Sequence, residues 1–216
     1  MLQFLHIGKM FGPAWVLTRF SLEVKPGEAA WLAGPPGSGK SLLLRMALGD
    51  VAPTTGTIHV NGLNPAKLGF GARQRLRRGM ALVRDDEPAL AVEVITWMAL
   101  GPWCAGRSWG DSLEAARVAL DRAGLADLGP RAFGELGRGE QCAVALARGL
   151  SRQPHVLLVD WAGGLPTGLP AGLLAEAGRY LADGGTAVLT GEPGPAGGPF
   201  GTRTVGLPAA GAGEAA

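Results

Sequence analysis

The residues Gly34-Pro35-Pro36-Gly37-Ser38-Gly39-Lys40-Ser41 constrain this chain more than any other stretch. They match the pattern G-x-x-x-x-G-K-[ST] at every fixed position. Ala29 to Ala33 ahead of them reads as a short buried strand, and Ser41 to Leu48 behind them as a helix. That strand–loop–helix setting is what the pattern needs, and a Gly-rich surface turn ending by chance in Lys-Ser would not require it. The glycines let the backbone curl so that its N–H groups point inward at phosphate oxygens. The helix N-terminus adds partial positive charge. Lys40 is placed to reach the β- and γ-phosphates of a nucleotide, and Ser41 to offer a hydroxyl to Mg²⁺. Nucleotide binding is therefore the starting point, and hydrolysis is a separate question.

The 216 residues suffice for one large domain with a sizeable core. A hydrophobic content of 47% beside 18% charged residues suits a globular protein with some apolar surface. The net charge of +2 predicts no nucleic-acid partner from bulk electrostatics. Cys104 and Cys142 lie in no metal-ligand spacing, so each is expected to act as a small buried apolar residue. With no disulfide framework, a reducing cytosol is the default compartment. The N-terminus lacks the pattern of a secretory leader, and no apolar run approaches the roughly 18 residues that would suggest a membrane span.

Residues 2–7 and 16–24 read as strands joined through Gly12-Pro13. Phe11 lies in that Gly-flanked connection, where stacking on a base and packing in a core are both open to it. Thr57 to Val60 is a short strand, and Arg73 to Arg78 carries four arginines. A solvated helix face accounts for them; a membrane-surface or phosphate contact is the sharper alternative. Met80 to Val83 is a buried-type strand. Ala89 to Trp109 is odd, with Trp97, Trp103 and Trp109 in a segment broken by Gly and Pro. Some of these belong in a core, and the rest suggest a docking surface. Asp111 or Ser112 is expected to cap a helix that runs to about Arg122 and ends at Gly124. Leu136 to Gln141 opens another helix. Val156 to Val159 is a fully apolar strand ending in Asp160, the acidic residue expected beside Mg²⁺ in a P-loop protein. Ala187 to Thr190 is the next buried strand, and Thr202 to Leu207 a last edge strand. High Gly and Pro content after residue 162 suggests long loops there. The strand–helix alternation implies an α/β fold with a mostly parallel sheet covered by helices.

With these elements in this order, the chain resembles the nucleotide-binding subunit of ABC transporters over essentially its whole length. Pro26-Gly27-Glu28, the P-loop, Gly56 to Gly62, the Leu136–Gln141 helix start, Ala145-Leu146-Ala147-Arg148 and the Val156–Asp160 strand carry the likeness. His6 to Phe11 and Arg75 to Met80 look most like the FtsE, lipoprotein-release and MacB-type group. The resemblance implies a P-loop NTPase fold of ABC ATPase type, with a small N-terminal antiparallel β part and an inserted helical subdomain at about 88–150. One such domain would span 1–208, followed by a disordered tail at 209–216. It implies ATP and Mg²⁺ as ligands, held by Phe11, Gly34 to Leu42, Arg84 and Asp160, with Ser41 and Asp160 serving the metal. It further implies integral membrane subunits as partners, a homo- or heterodimer of nucleotide-binding subunits, and a peripheral place on the cytoplasmic face of the plasma membrane.

The departures from the family pattern fall at catalytic positions. The Q-loop glutamine aligns with Arg84, and the LSGGQ signature reads Leu136-Gly137-Arg138-Gly139-Glu140. Trp161 takes the place of the general-base glutamate, Gly191 that of the switch histidine, and Pro166 loosely that of the D-loop aspartate. A tryptophan cannot accept a proton from water, so base assistance of roughly 10²- to 10⁴-fold should be missing. Arg84 and Arg138 bring charge that could hold a phosphate without orienting water. The expectation is an ATP-binding subunit with weak or no hydrolysis and a regulatory or coupling role. The alternatives are an active transport or cell-division ATPase, in which Glu192, Asp85 or Asp86 compensate, and a non-catalytic scaffold.

Overall fold

The computed structural model describes residues 1–86, 91–161, 166, 168–191, 201 and 203–209. Two sheets share the work. The first is antiparallel, in the order β2-β1-β4, from β1 (Leu2–Phe11), β2 (Ala14–Val24) and β4 (Thr55–Val60). The second is parallel, in the order β5-β6-β7-β3-β8. Its strands are β3 (Ala29–Ala33), β5 (Met80–Arg84), β6 (Val156–Asp160), β7 (Thr186–Thr190) and β8 (Arg203–Gly206).

The inner parallel strands β3, β6 and β7 are almost wholly apolar because both faces are covered, whereas the edge strand β8 is largely exposed. Side chains alternate across a strand, so each strand feeds two cores. Ala30, Leu32, Val156, Leu158 and Val188 face the antiparallel sheet and α1 (Lys40–Ala47), where Phe4, Ile7, Leu43 and Met46 meet them. Trp31, Leu157, Val159, Ala187 and Leu189 face the opposite way. There they meet α3 (Val94–Cys104), α4 (Trp109–Ala123), α5 (Arg138–Ser151) and α6 (Ala171–Ala182). In sequence α3, α4 and α5 fall between β5 and β6, as the helical insertion predicts.

Several expectations shift. β1 runs on to Phe11 with register breaks after Phe4, and His6 adopts φ 51°, so strict alternation fails although the strand continues. Phe11 is thus a strand residue next to the turn, not a loop residue. α4 starts earlier than Asp111. Ser108 is its cap, accepting the Asp111 N–H at 3.1 Å, and Ser112 is a buried residue inside the helix. Gly124 ends it in the left-handed region, as predicted. Beyond residue 162, where long loops were expected, α6 stands in regular structure, and β7 forms as expected. The tail at 210–216 lies outside the described residues.

The tryptophan-rich segment divides. Trp97 is buried, stacks on Phe133 at 4.3 Å between centroids, and carries the Arg148 guanidinium 3.7 Å over its ring. Trp103 and Trp109 are exposed and meet edge to face at 5.9 Å. The cysteines divide too. Cys142 is buried as expected, but Cys104, at the end of α3, is exposed.

Two outcomes follow. Trp97→Ala removes a stacked core ring and should lower unfolding free energy by about 3–5 kcal/mol in a denaturant titration. Burial, with the Asp85 charge as a smaller cause, pushes the Cys142 thiol up to about 12. A disulfide-exchange reagent at neutral pH should therefore label Cys104 and spare Cys142 until the protein unfolds.

Candidate nucleotide-binding site

The site begins where β3 stops. Gly34 leaves the strand in a space that admits no side chain: an added Cβ would lie 2.8 Å from both the Leu207 carbonyl oxygen and the Ser38 hydroxyl. The loop turns back so that the Ser38 N–H donates to the Pro35 carbonyl at 3.2 Å, and Ser38 is fully buried. Gly39 caps α1 at φ 94°, and a Cβ there would press on Leu17 of β2 at 2.8 Å. Lys40 folds back over the loop, donating to the carbonyl oxygens of Gly34 at 2.6 Å and Pro35 at 2.9 Å.

Asp160 joins this loop to the sheet. It ends β6, and its neighbour in register is Thr190 at the end of β7. One carboxylate oxygen, Oδ1, accepts from the Ser41 hydroxyl at 2.9 Å and from the Thr190 hydroxyl at 2.8 Å. Above the loop lies a cleft of about 570 Å³. It is lined by Gly34, Pro35, Pro36, Gly37, Gly39, Lys40, Ser41 and Leu42, by Asp160, Thr190 and Gly191, and by Phe11, Val16 and Arg45. Its size suits a small organic ligand. Ser41 and Asp160 form an all-oxygen donor pair, which fits Mg²⁺, a hard cation that takes few protein ligands and leans on phosphate oxygens. At 54% exposure Phe11 is no packed core residue, and the Lys9 ammonium sits 5.2 Å from its ring centre.

Of the other sequence-predicted residues that are described, only Gly191 reaches the cleft. Trp161 is 6% exposed and continues the alternation of Leu157 and Val159, so it packs with the helical core. Gly191 lines the cleft through its backbone, at φ 119°, and its carbonyl accepts the buried Trp31 indole N–H at 3.2 Å. Arg84 ends β5 opposite Asp160 in register, but its guanidinium pairs with Asp86. Arg138, the first residue of α5, is largely exposed and reaches Asp85 at 3.5 Å. Gly137 caps α5, and Glu140 accepts its N–H at 2.9 Å while pairing with Arg131 at 2.9 Å. The Gly137 bond first, and Arg131 after it, hold the Glu140 carboxyl below the usual carboxylate range. Gly139 borders a separate small cavity beside Pro166. Glu192 lies outside the described residues.

Val16, Arg45 and Thr190 line the cleft without having been singled out as site residues. A hydroxyl ending an apolar strand was a usable signal for Thr190. Arg45 lies four residues past Ser41 and so shares its helix face.

The ABC transporter family profile matches residues 17–162. This chain belongs to the ABC transporter family. Similar proteins include the cell division ATP-binding protein FtsE of Escherichia coli, 32% identical over 177 residues, which cover 81% of this chain and 80% of that one. The lipoprotein-releasing system ATP-binding protein LolD 1 of Rhodopirellula baltica is 34% identical over 151 residues, covering 68% and 66%. The hemin import ATP-binding protein HmuV of Gloeobacter violaceus is 32% identical over 169 residues, and the match spans 61% of its length. Among solved structures, the dimeric post-hydrolysis ATP-binding cassette MJ0796, bound to ADP and Pi, matches with a TM-score of 0.79 over 97% of this chain at 21% identity. That likeness establishes an ABC cassette fold. No helix among the described residues is long and apolar enough to cross a membrane.

Gly39→Ala in this family member would force a Cβ onto Leu17 at a positive φ. Such strain costs about 1–3 kcal/mol. Thermal melts should show that loss, and Gly37→Ala, where a Cβ meets nothing within 4 Å, should lose less.

Proposed function

We propose that this chain is the Mg–ATP-binding subunit of an ABC-type membrane complex, and that it works by binding nucleotide rather than by turning it over rapidly. One observation carries the reading. The Ser41–Asp160 pair that would serve a metal is complete, while the next residue, Trp161, is turned into the core, where it can neither reach nor deprotonate a water in the cleft. The loop N–H groups and Lys40 would hold the phosphates. Phe11 offers a ring face to the base. Bound Mg²⁺ would neutralise phosphate charge between Ser41 and Asp160. Gly191 contributes only backbone, and Arg84 and Arg138, paired with Asp86 and Asp85, are always protonated, so none of them supplies a general base.

The signature-like residues Gly137 to Glu140 stand apart from this chain's own cleft, which fits a role against the cleft of a second nucleotide-binding subunit, in a homo- or heterodimer. Trp103 and Trp109 form an exposed aromatic pair suited to an integral membrane subunit, since such rings anchor interfaces. The chain would then sit on the cytoplasmic face of the membrane as one domain over 1–208, with α3 to α5 as its helical subdomain.

Titration of the purified chain with Mg–ATP tests the reading. Binding is expected, with a loss of at least about tenfold in Lys40→Ala, which removes a charge-assisted phosphate contact. Asp160→Asn should lose the Mg²⁺ dependence of that binding. No binding by the unaltered chain would leave a scaffold. Trp161→Glu should place a carboxylate in the core and destabilise the fold rather than restore turnover.

A further inference from the structure

α2 (Phe70–Arg78) rests on β5 and packs Leu76 against the core, and its opposite face is used neither by the nucleotide cleft nor by either sheet. Between Asp50 and Asp85 the chain holds no acidic residue, and Lys67, Arg73, Arg75, Arg77, Arg78 and Arg84 all fall in that interval. On a chain of net charge +2 this is strong local segregation. Two of the cations are structural. Arg77 pairs with Asp50 and donates to the Leu48 carbonyl, and Arg73 donates to the Leu68 carbonyl at 2.9 Å. The Arg77 bonds pin α2 against the end of α1, and the Arg73 bond ties α2 to the segment just before it.

The remaining side chains face out. Phe70 is 81% exposed, and Lys67, Arg75 and Arg78 are exposed with no ion-pair partner among the described residues. Arg75 lies back along the helix, its Nη1 3.9 Å from where a Cβ on Gly71 would be. Within α2 the spacing 70–71, 74–75, 78 puts Phe70, Arg75 and Arg78 on one broad helical face, and Lys67 lies in the short 3-10 turn (Pro65–Lys67) just before the helix. Leu76, the α2 residue that packs against the core, lies on the other side of the helix from this stripe.

We propose that this stripe is a contact for an anionic membrane surface, with Lys67, Arg75 and Arg78 at the headgroup level and the Phe70 ring entering the interface. Basic side chains around one exposed aromatic are the composition of a helix that lies on a bilayer. Anionic leaflets attract each such charge within a Debye length. A solvated face explains the arginines but not an almost fully exposed phenylalanine among them. The contact is independent of nucleotide, so it stands or falls apart from the function proposed above.

Co-sedimentation of the full chain with phosphatidylcholine vesicles, with and without phosphatidylglycerol, tests it. Partition into the anionic vesicles only, released by high salt, is expected. The double variant Arg75→Glu with Arg78→Glu should reduce it by about tenfold or more. Phe70→Ala should reduce it by a smaller factor and leave the rest more salt-sensitive. All these positions are exposed, so unchanged thermal melts should accompany the losses. Absence of vesicle binding, equal binding to neutral vesicles, or variants that bind like the unaltered chain would overturn the proposal. So would binding to duplex DNA without binding to vesicles.

Discussion

One carboxylate oxygen holds the centre of this molecule together. Oδ1 of Asp160 accepts hydroxyls from Ser41 at the start of α1 and Thr190 at the end of β7. A single acceptor thereby fixes three elements that are far apart in sequence: the P-loop helix, β6 and β7. The geometry is available because β6 and β7 pair in register at their last residues, and because β3 delivers the loop one strand further along. Most of what faces the cleft follows from that junction. The sheet must be parallel for all three ends to meet on one edge. Parallel strands need covering on both faces, which the antiparallel sheet and the helices provide.

The same alternation that aims Asp160 at the cleft aims Trp161 away from it. A strand that buries Leu157 and Val159 on its helical face puts residue 161 there as well. Tryptophan at this position is therefore a packing residue, and the cleft next to Asp160 gains nothing from it chemically. On the far side Gly191 is fixed by the Trp31 indole, so backbone lines the cleft where a longer side chain would protrude.

Much of this was legible in the sequence because it rests on local signals. The P-loop strand, the Val156–Asp160 strand, the Gly124 helix stop and the Leu136–Gln141 helix start all carry their own turn chemistry or apolar run. What was hidden depended on contacts between distant residues. The Trp97–Phe133 stack and the Trp103–Trp109 pair divide one aromatic segment between core and surface, and no periodicity within 89–109 separates them. The Ser108 cap was masked by two better-looking candidates just behind it. α6 was masked by Ala and Gly, which weaken the helical pattern although Leu173, Ala177 and Tyr180 lie on one buried face. Arg84 and Arg138 read as phosphate-facing charges in one dimension; in the fold each has an acidic partner within reach.

Whether the cleft keeps ATP intact is read directly in a single-turnover experiment: protein in excess over γ-labelled ATP, with Mg²⁺, quenched over minutes to hours. The prediction is bound ATP that stays ATP, with release of labelled phosphate no faster than in Lys40→Ala. Lys40-dependent phosphate release within seconds would contradict it, and would require a base that reaches the cleft from elsewhere in the chain or from a partner.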